Sequence, residues 1–375
     1  MQIVGGTAYQ VFHVAYLYVM EFSDRLEIWY SQNGRSLPWR ETQDPYRVWV
    51  SEIILQQTRV EQGLGYYTRF IHEFPDVYHL ASASADHVMR IWEGLGYYSR
   101  ARNMHFAAQQ IVELGAFPNC YEELRKLKGV GDYTAAAVAS FCFGEARAVV
   151  DGNVFRVLAR YYGMETPIDT TAGKREFSDL AQRIMDKKRP ALYNQAIMDF
   201  GALQCTPKNP NCNSCPLAGS CMALAGKCVG ELPKRSRHVT MAERHFTYIV
   251  LQNAEDALLV HRRSGKDIWQ GLYEPVLFER REGEKGISPT DLLQGWLQQH
   301  GVSIPARSMK VEGHVPVIRH QLTHRLVLAE AYRLRLSPEV VVPAPEHCLW
   351  LQPGAIESIG FPRLVNRIFE QFGIR

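Results

Sequence analysis

Four of the eight cysteines lie in one short segment with the spacing C-x6-C-x2-C-x5-C: Cys205, Cys212, Cys215 and Cys221. Four thiolates spaced in this way can hold a zinc ion or a 4Fe-4S cluster. Structural zinc sites usually combine two C-x2-C pairs, and this segment has one, so the longer gaps favour an iron–sulfur cluster over zinc. A disulfide scaffold would be short, secreted and evenly supplied with cysteines, so the clustering indicates a reduced compartment. The cysteines alone leave a redox, a structural and a sensing role open.

Two carboxylates occupy positions where the sequence permits two interpretations. Glu52 lies in VWVSEIIL, between apolar residues of one predicted helix, and either faces solvent or is partly buried with a raised pKa. Asp151 lies in VVDGNVFRVL, where it or Asn153 is expected to cap the following helix. Taken alone, both carboxylates are compatible with purely structural roles.

A glycine-containing turn joins two helical segments in LKGVGDYTAAAVASF. Gly129 and Gly131 allow backbone N–H groups to approach a phosphate closely, with the N-terminus of the next helix directed at it. An ordinary glycine-rich connection between helices is equally compatible with so short a motif.

The apolar spacing predicts helices from about Met20 to Ala225, beginning with an Asp44-Pro45 helix start, and no alternating strand pattern interrupts them. Residues 226–243 contain Gly, Pro and several basic residues and predict a linker. Beyond it, HFTYIVLQ and ALLVHRR predict a strand hairpin, and DLLQGWLQQHG predicts a helix ending at Gly301. We therefore expect an all-α domain over 20–225 and a smaller α+β domain over 244–375.

The composition is that of a folded globular chain: 375 residues, 46% hydrophobic and 22% charged, with a net charge of +3. This balance neither requires nor excludes nucleic acid. No apolar run is long enough to span a membrane, and residues 1–19 make a poor signal peptide, so we interpret them as an N-terminal extension. We expect a cytoplasmic monomer with no membrane partner.

The order of several motifs is more specific than any one of them. Leu37-Pro38-Trp39-Arg40, SEIILQQTRV, WEGLGYYSRARN, LKGVGDYTA, VVDGNVFRVLAR and the four cysteines follow one another from Met20 onward. This succession resembles the helix-hairpin-helix DNA glycosylases that carry an iron–sulfur cluster and, within them, the adenine DNA glycosylases of the MutY type. The resemblance implies a helical glycosylase domain with a 4Fe-4S cluster held by the four cysteines, followed by a small Nudix-like domain.

The resemblance also implies chemical roles. Glu52 matches the general acid that protonates the flipped adenine at N7, and Asp151 matches the carboxylate that stabilises the oxocarbenium-like sugar. Tyr133 and Asn153 match residues that position these groups. The related endonuclease III family has at the position of Tyr133 a lysine that forms a Schiff base, so the tyrosine predicts an enzyme without strand-cleaving lyase activity. Lys128, inside the hairpin, is expected near the DNA backbone.

Further residues match family contacts to DNA. In the helical domain these fill the gap left by the flipped base, contact the opposite purine or hold backbone phosphate: Gln57, Thr58, Leu95, Tyr97, Gly129 and Gly131. In the Nudix-like domain, Thr323 and His324 match the loop that recognises 8-oxoguanine, while Leu322 replaces the usual aromatic residue. The chain has no catalytic Nudix motif, so we do not expect nucleotide hydrolysis.

The expected function is therefore base-excision repair: removal of adenine mispaired with 8-oxoguanine or guanine from duplex DNA. One alternative is a glycosylase with lyase activity on oxidised pyrimidines, which Tyr133 and the C-terminal domain disfavour. A second alternative is an iron–sulfur DNA-binding or redox-sensing protein without catalysis, which the presence of both Glu52 and Asp151 disfavours.

Overall fold

The computed structural model describes residues 22–236, 241–280 and 287–375, so the extension predicted over 1–19 lies outside the described residues. The described chain divides into two compact units, one formed by 22–67 with 107–236 and the other by 68–106 with 241–375. The second unit thus combines a helical segment with the C-terminal strands. The limits predicted from sequence, 20–225 and 244–375, follow chain order and remain a prediction. No helix among the described residues is long and apolar enough to cross a lipid bilayer.

Helices account for the regular structure up to Ala225, as the sequence predicted. Their bounds are 22–33 (α1), Pro45–Leu55 (α2), Val60–Glu73 (α3), Val77–Ser82 (α4), Ala85–Ile91 (α5), Ser99–Leu114 (α6), Tyr121–Leu124 (α7), Asp132–Phe143 (α8), Gly152–Tyr162 (α9), Thr171–Ile184 (α10), Pro190–Asp199 (α11) and Met222–Ala225 (α12).

Local sequence explains where the helices of the site begin and end. Asp44 accepts the N–H of Tyr46, and Pro45 follows it, so α2 starts at a satisfied cap. Gly144 and Gly163 end α8 and α9 in left-handed conformations, with φ of 67° and 63°. A residue without Cβ adopts this conformation at little cost. These signals fix the lengths of the helices that carry the site.

The core of the first unit surrounds α9. Val154, Val157 and Leu158 are fully or almost fully buried against residues of α1, α8, α10 and α11. The side chain of Asn194, with no exposed surface, accepts the N–H of Val149 and donates to the carbonyl of Arg147. Such paired burial stabilises the extended segment that leads into α9.

The second unit contains a seven-stranded sheet in the order β3-β2-β1-β6-β5, with β4 beside β1 and β7 beside β2. The strands are Ala242–Gln252 (β1), Leu258–Arg262 (β2), Tyr273–Glu274 (β3), Val276–Arg280 (β4), Met309–Gln321 (β5), Arg325–Leu336 (β6) and Cys348–Leu351 (β7), and the helices are Pro289–Gln299 (α13) and Arg363–Gln371 (α14). The predicted hairpin is confirmed as the antiparallel pair β1–β2, and the predicted helix is α13. Because β1 and β6 pair in parallel, the sheet is mixed.

Glu93 links the helical segment of the second unit to its C-terminal residues. Its side chain is 9% exposed and accepts hydrogen bonds from Arg90 Nη1 at 2.9 Å and Arg375 Nη1 at 3.0 Å. The Nδ2 group of Asn366 and the N–H of Phe361, at 3.2 Å, donate to the same carboxylate. A nearly buried carboxylate with two guanidinium partners is stabilising only while the set is complete.

We expect Glu93→Ala to lower the free energy of unfolding by about 3 kcal/mol, because it leaves two arginines without their shielded partner. Glu357→Ala is the matched control, since Glu357 pairs with the same arginines but is 60% exposed. The control should cost no more than about 1 kcal/mol. Urea denaturation measures both variants, and equal losses would show that the burial of Glu93 contributes nothing.

Candidate active site

A cleft of about 510 Å³ in the helical unit contains the four residues to which catalytic roles were assigned from sequence. Glu52 reaches it from α2, Tyr133 from the first turn of α8, and Asp151 and Asn153 from the start of α9. The fold brings these side chains together although Glu52 and Tyr133 are 81 positions apart.

Glu52 is buried, with 5% of its surface exposed, so the solvent-facing interpretation of this residue is wrong. Its Oε2 accepts a hydrogen bond of 2.6 Å from the hydroxyl of Tyr133. Burial raises the pKa of Glu52 to about 7, against the lowering effects of Tyr133 and Arg40, and the negative charge of Asp151 adds to the rise. A carboxylic acid with such a pKa keeps its proton in many molecules at neutral pH and can donate it.

Tyr133 is the neutral partner in this pair. Burial and the charges of Glu52 and Asp151 raise the pKa of Tyr133 well above its ordinary value. The phenol therefore stays protonated and acts as a hydrogen-bond donor. It contributes no basic nitrogen to the cleft.

Asp151 caps α9, as the structural interpretation of the sequence predicted, and it also lies in the cleft. Its Oδ1 accepts the N–H groups of Asn153 at 2.9 Å and Val154 at 2.8 Å, while its Oδ2 accepts from Asn153 Nδ2 at 2.7 Å. Burial raises the pKa of Asp151, and the three hydrogen bonds, which favour the anion, oppose that rise. The cap therefore holds a carboxylate in one orientation inside the cleft.

The sequence analysis missed Asp199, a buried carboxylate that binds two arginines beside the cleft. Asp199 has no exposed surface and pairs with Arg40 through bonds of 2.7 and 2.8 Å, and with Arg35. Burial alone would raise the pKa of Asp199, but the guanidiniums of Arg40 and Arg35 hold this pKa at about 2. Asp199 interrupts the apolar run AIMDFGA, and a charged residue within an apolar run is the same signal that singled out Glu52. Arg40 lies in the LPWR motif. Asp199 thus holds the guanidinium of Arg40 at a fixed place in the cleft, from which it lowers the pKa of Glu52.

Arg156, also missed, connects the cleft to the cysteine segment. Its Nη2 donates to Asn153 Oδ1 at 2.8 Å and to the carbonyl of Gly201 at 2.6 Å, and its Nε donates to the carbonyl of Cys205 at 2.7 Å. Gly201 lies in a π-helical turn, Phe200–Gln204, where an added Cβ would be 2.7 Å from Asn153. Only glycine allows this close approach, which positions Asn153.

The four clustered cysteines line one small, apolar cavity. Arg160, four positions after Arg156 on α9, donates to Cys205 Sγ at 3.4 Å and to the carbonyl of Thr206 at 2.7 Å. Burial and the neighbouring thiols raise the pKa of Cys215 to about 11. Within the described residues, no three His, Cys, Asp or Glu side chains are arranged around a single metal ion. Four thiols that line one cavity are a donor set that suits a zinc ion or a 4Fe-4S cluster.

The residues predicted to contact DNA are distributed over both units. In the first, Gln57 is exposed in a left-handed conformation with φ of 56°, Thr58 lines the cleft, and Gly129 also has a positive φ, 78°. Gly131 caps α8 with an extended backbone.

In the second unit, the structure brings two of the predicted residues together. Tyr97, 41% exposed with φ of 49°, forms a hydrogen bond through its hydroxyl with Thr323 Oγ1. His324 is exposed beside Thr323, and Leu322 is half-buried. Leu95, in contrast, is 7% exposed and packs inside the unit.

Comparison with known proteins agrees with this architecture. Residues 50–183 match the family model of the HhH-GPD superfamily of base excision DNA repair proteins, and residues 247–371 match that of the NUDIX domain. An adenine DNA glycosylase of Homo sapiens is 43% identical, with 94% of this chain and 74% of the relative covered. One from Buchnera aphidicola subsp. Baizongia pistaciae is 30% identical, with 91% and 93% covered. Among solved structures, a thermostable thymine-DNA glycosylase covers 56% of this chain and 97% of its own, with a TM-score of 0.52 and 26% identity.

The two family models follow one another in the order of the helical and strand-containing parts, and the relatives extend the match over almost the whole chain. The sequence resemblance is therefore confirmed: this chain belongs to the family of adenine DNA glycosylases, the base-excision repair enzymes that combine a helix-hairpin-helix domain with a C-terminal Nudix-like domain.

Proposed function

We propose that this enzyme removes adenine mispaired with 8-oxoguanine or guanine from duplex DNA and leaves an abasic site without cutting the strand. The observation that carries the proposal is the buried Glu52, with a pKa of about 7, beside Tyr133 and the oriented carboxylate of Asp151. We further propose that it acts as a monomer on genomic DNA in the cytoplasm, associated with the nucleoid where the cell is bacterial.

Glu52 supplies the proton that makes adenine a leaving group. The target base leaves the stack, which costs least at a mismatch. The protonated Glu52 carboxyl donates to N7 of the flipped adenine as the C1′–N9 bond breaks, and the bonding electrons leave with the base. Tyr133 holds the Glu52 carboxyl in place through the 2.6 Å hydrogen bond.

Asp151 balances the positive charge that develops on the sugar. Its Oδ2 is held by Asn153, which Arg156 and Gly201 position, so the carboxylate need not reorganise during the reaction. Water then adds to C1′ and its proton restores Glu52. Because Tyr133 offers no amine, no Schiff base forms and the strand stays intact.

Cys205, Cys212, Cys215 and Cys221 are proposed to hold a 4Fe-4S cluster, which stabilises their thiolate forms and cross-links the segment. The contacts of Arg156 and Arg160 with this segment support a structural contribution to the site. No step of base removal requires the cluster.

Recognition of the opposite base is proposed for Tyr97, Thr323 and His324. In 8-oxoguanine N7 carries a hydrogen, which the hydroxyl oxygen of Thr323 can accept, whereas in guanine N7 is an acceptor. The hydrogen bond to Tyr97 orients that hydroxyl. Gln57 and Thr58 would occupy the gap in the stack, and the turn at Gly129 and Gly131 would hold backbone phosphate.

A duplex assay tests the reaction and the acid together. On an A·8-oxoguanine duplex, we expect product strand only after alkali, and Glu52→Gln should remove activity while leaving thermal stability near that of the parent. Since the active form of Glu52 is protonated, the single-turnover rate should fall about tenfold per pH unit above pH about 7 and level off below it. Strand cleavage without alkali would indicate a lyase, no cleavage a binding protein, and a rate still rising above pH 7 would exclude Glu52 as the acid.

Asp151→Asn separates the capping role from the catalytic one. Asparagine caps helices about as well as aspartate, so the free energy of unfolding should change by less than about 1 kcal/mol. Excision should nevertheless fall at least about a hundredfold, because a neutral amide cannot balance a cationic sugar. Chemical denaturation and single-turnover rates, measured on the same variant, distinguish the two roles. Full activity in a stable variant would show that Asp151 only caps α9.

Cys212→Ser tests the cluster. We expect the parent to contain about four irons per chain and the variant to lose iron and thermal stability. Cys348→Ser, in β7 of the other unit, is the matched control and should keep the parent iron content. Iron analysis after anaerobic purification decides, and zinc in place of iron would overturn the assignment.

A further inference from the structure

The arginines of the second unit are mostly neutralised by carboxylates. Pairing of this kind is seen for Arg90, Arg244, Arg263, Arg325, Arg335 and Arg375. A guanidinium paired within the protein contributes little net charge to its surroundings. Arginines without such partners are therefore the ones that can attract an external anion.

Arg319, Arg363 and Arg367 form no salt bridge with any residue that the structure describes, and we refer to these three as the basic face. Arg363 and Arg367 are one turn apart on α14, and Arg319 lies near the end of β5. The two elements meet at the basic face, because Arg367 Nη1 is 3.5 Å from the carbonyl oxygen of Arg319. Arg319 and Arg363 are exposed, and Arg367 is half-buried.

His320 lies close to the positive charges of the basic face. Burial lowers the pKa of His320, and the charges of Arg367 and Arg363 lower it further. Its ring packs edge-on against Trp269 at 5.8 Å. The charges of Arg363 and Arg367, both next to this imidazole, repel one another, and an external anion would relieve that repulsion.

We propose that the basic face binds backbone phosphates of the duplex next to the loop 322–324, an inference that rests on the proposed function for the identity of the duplex. β5 ends at Gln321, so the chain passes directly from Arg319 to Thr323. Four residues span at most about 14 Å, roughly four nucleotide steps of about 3.4 Å along the axis of a DNA duplex.

Phosphate contacts fix the position of the protein on DNA without reading sequence. The basic face therefore holds the duplex where Thr323 and His324 can reach the base opposite adenine, and it contributes equally to A·8-oxoguanine and A·G duplexes. It acts on binding and leaves the chemistry of the cleft unchanged.

The salt dependence of binding tests this proposal. The probe is a duplex with 2′-fluoro-adenosine at the target position, because the electronegative substituent destabilises the cationic sugar and blocks excision. For Arg363→Gln/Arg367→Gln, the plot of log K against log salt should become shallower by about 0.9 for each phosphate that the variant no longer neutralises. If two phosphates are affected and the curves meet at 1 M salt, affinity at 0.1 M should fall about 60-fold.

Two further variants control the experiment. Arg333→Gln/Arg335→Gln removes the same charge from guanidiniums that already pair with Glu312 and should keep the parent slope. Arg363→Lys/Arg367→Lys keeps the charge and should also keep the slope, which separates loss of charge from loss of folding. Single-turnover rates at saturating unmodified duplex should match the parent in the Arg333→Gln/Arg335→Gln control, whose residues lie outside the proposed binding face.

An unchanged slope in Arg363→Gln/Arg367→Gln, an equal change in the Arg333/Arg335 control, or a loss confined to one of the two mispairs would overturn the proposal. Failure of the proposed function has a different signature. In that case the parent chain would not excise adenine, whereas the basic face would still account for the slope on any duplex.

Discussion

The first turn of α9 is the constraint on which the rest of the catalytic unit depends. Asp151 must cap this helix, because the N–H groups of Asn153 and Val154 are otherwise unpaired in a buried position. The same cap fixes the orientation of the Asp151 carboxylate in the cleft. From the same helix, Arg156 and Arg160 extend to the cysteine segment and bind its carbonyl groups. One helix therefore sets the geometry of both the proposed chemistry and the proposed cluster.

The burial of Glu52 costs free energy when the carboxyl group is ionised, and this cost raises its pKa. Burying a carboxyl group disfavours its ionised form, and the structure compensates with one hydrogen bond from Tyr133 instead of a direct ion pair. Arg40 is close enough to act on Glu52, yet its guanidinium is bound by Asp199. If Arg40 paired with Glu52 directly, the pKa would fall and the proton needed near neutral pH would be lost.

In the second unit, the residues proposed to contact DNA are exposed polar groups: Tyr97, Thr323 and His324. The loop after Glu93 has positive φ at Gly94, Gly96 and Tyr97, and it is held at one end by the Glu93 carboxylate and at the other by the Tyr97–Thr323 hydrogen bond. A fixed loop loses less conformational entropy when it binds a partner, which favours the DNA contact proposed for Tyr97 and Thr323. The segment 68–106 thus belongs structurally with the strands that carry Thr323, although the sequence places it in the helical half.

The sequence by itself determined what depends on neighbouring residues: the all-α part with its caps, the β1–β2 hairpin, α13, the four-cysteine segment and the tyrosine at position 133. Such features follow from residue type and short-range periodicity, whereas the family followed from the resemblance of several motifs in their order. Only the tertiary structure decided that Glu52 is buried, that Asp199 binds Arg40, and that Arg156 joins Asn153 to the cysteine segment. The physical reason is that desolvation and charge pairing depend on residues far apart in the chain, such as Glu52 and Tyr133 at 81 positions, whose approach no local pattern encodes.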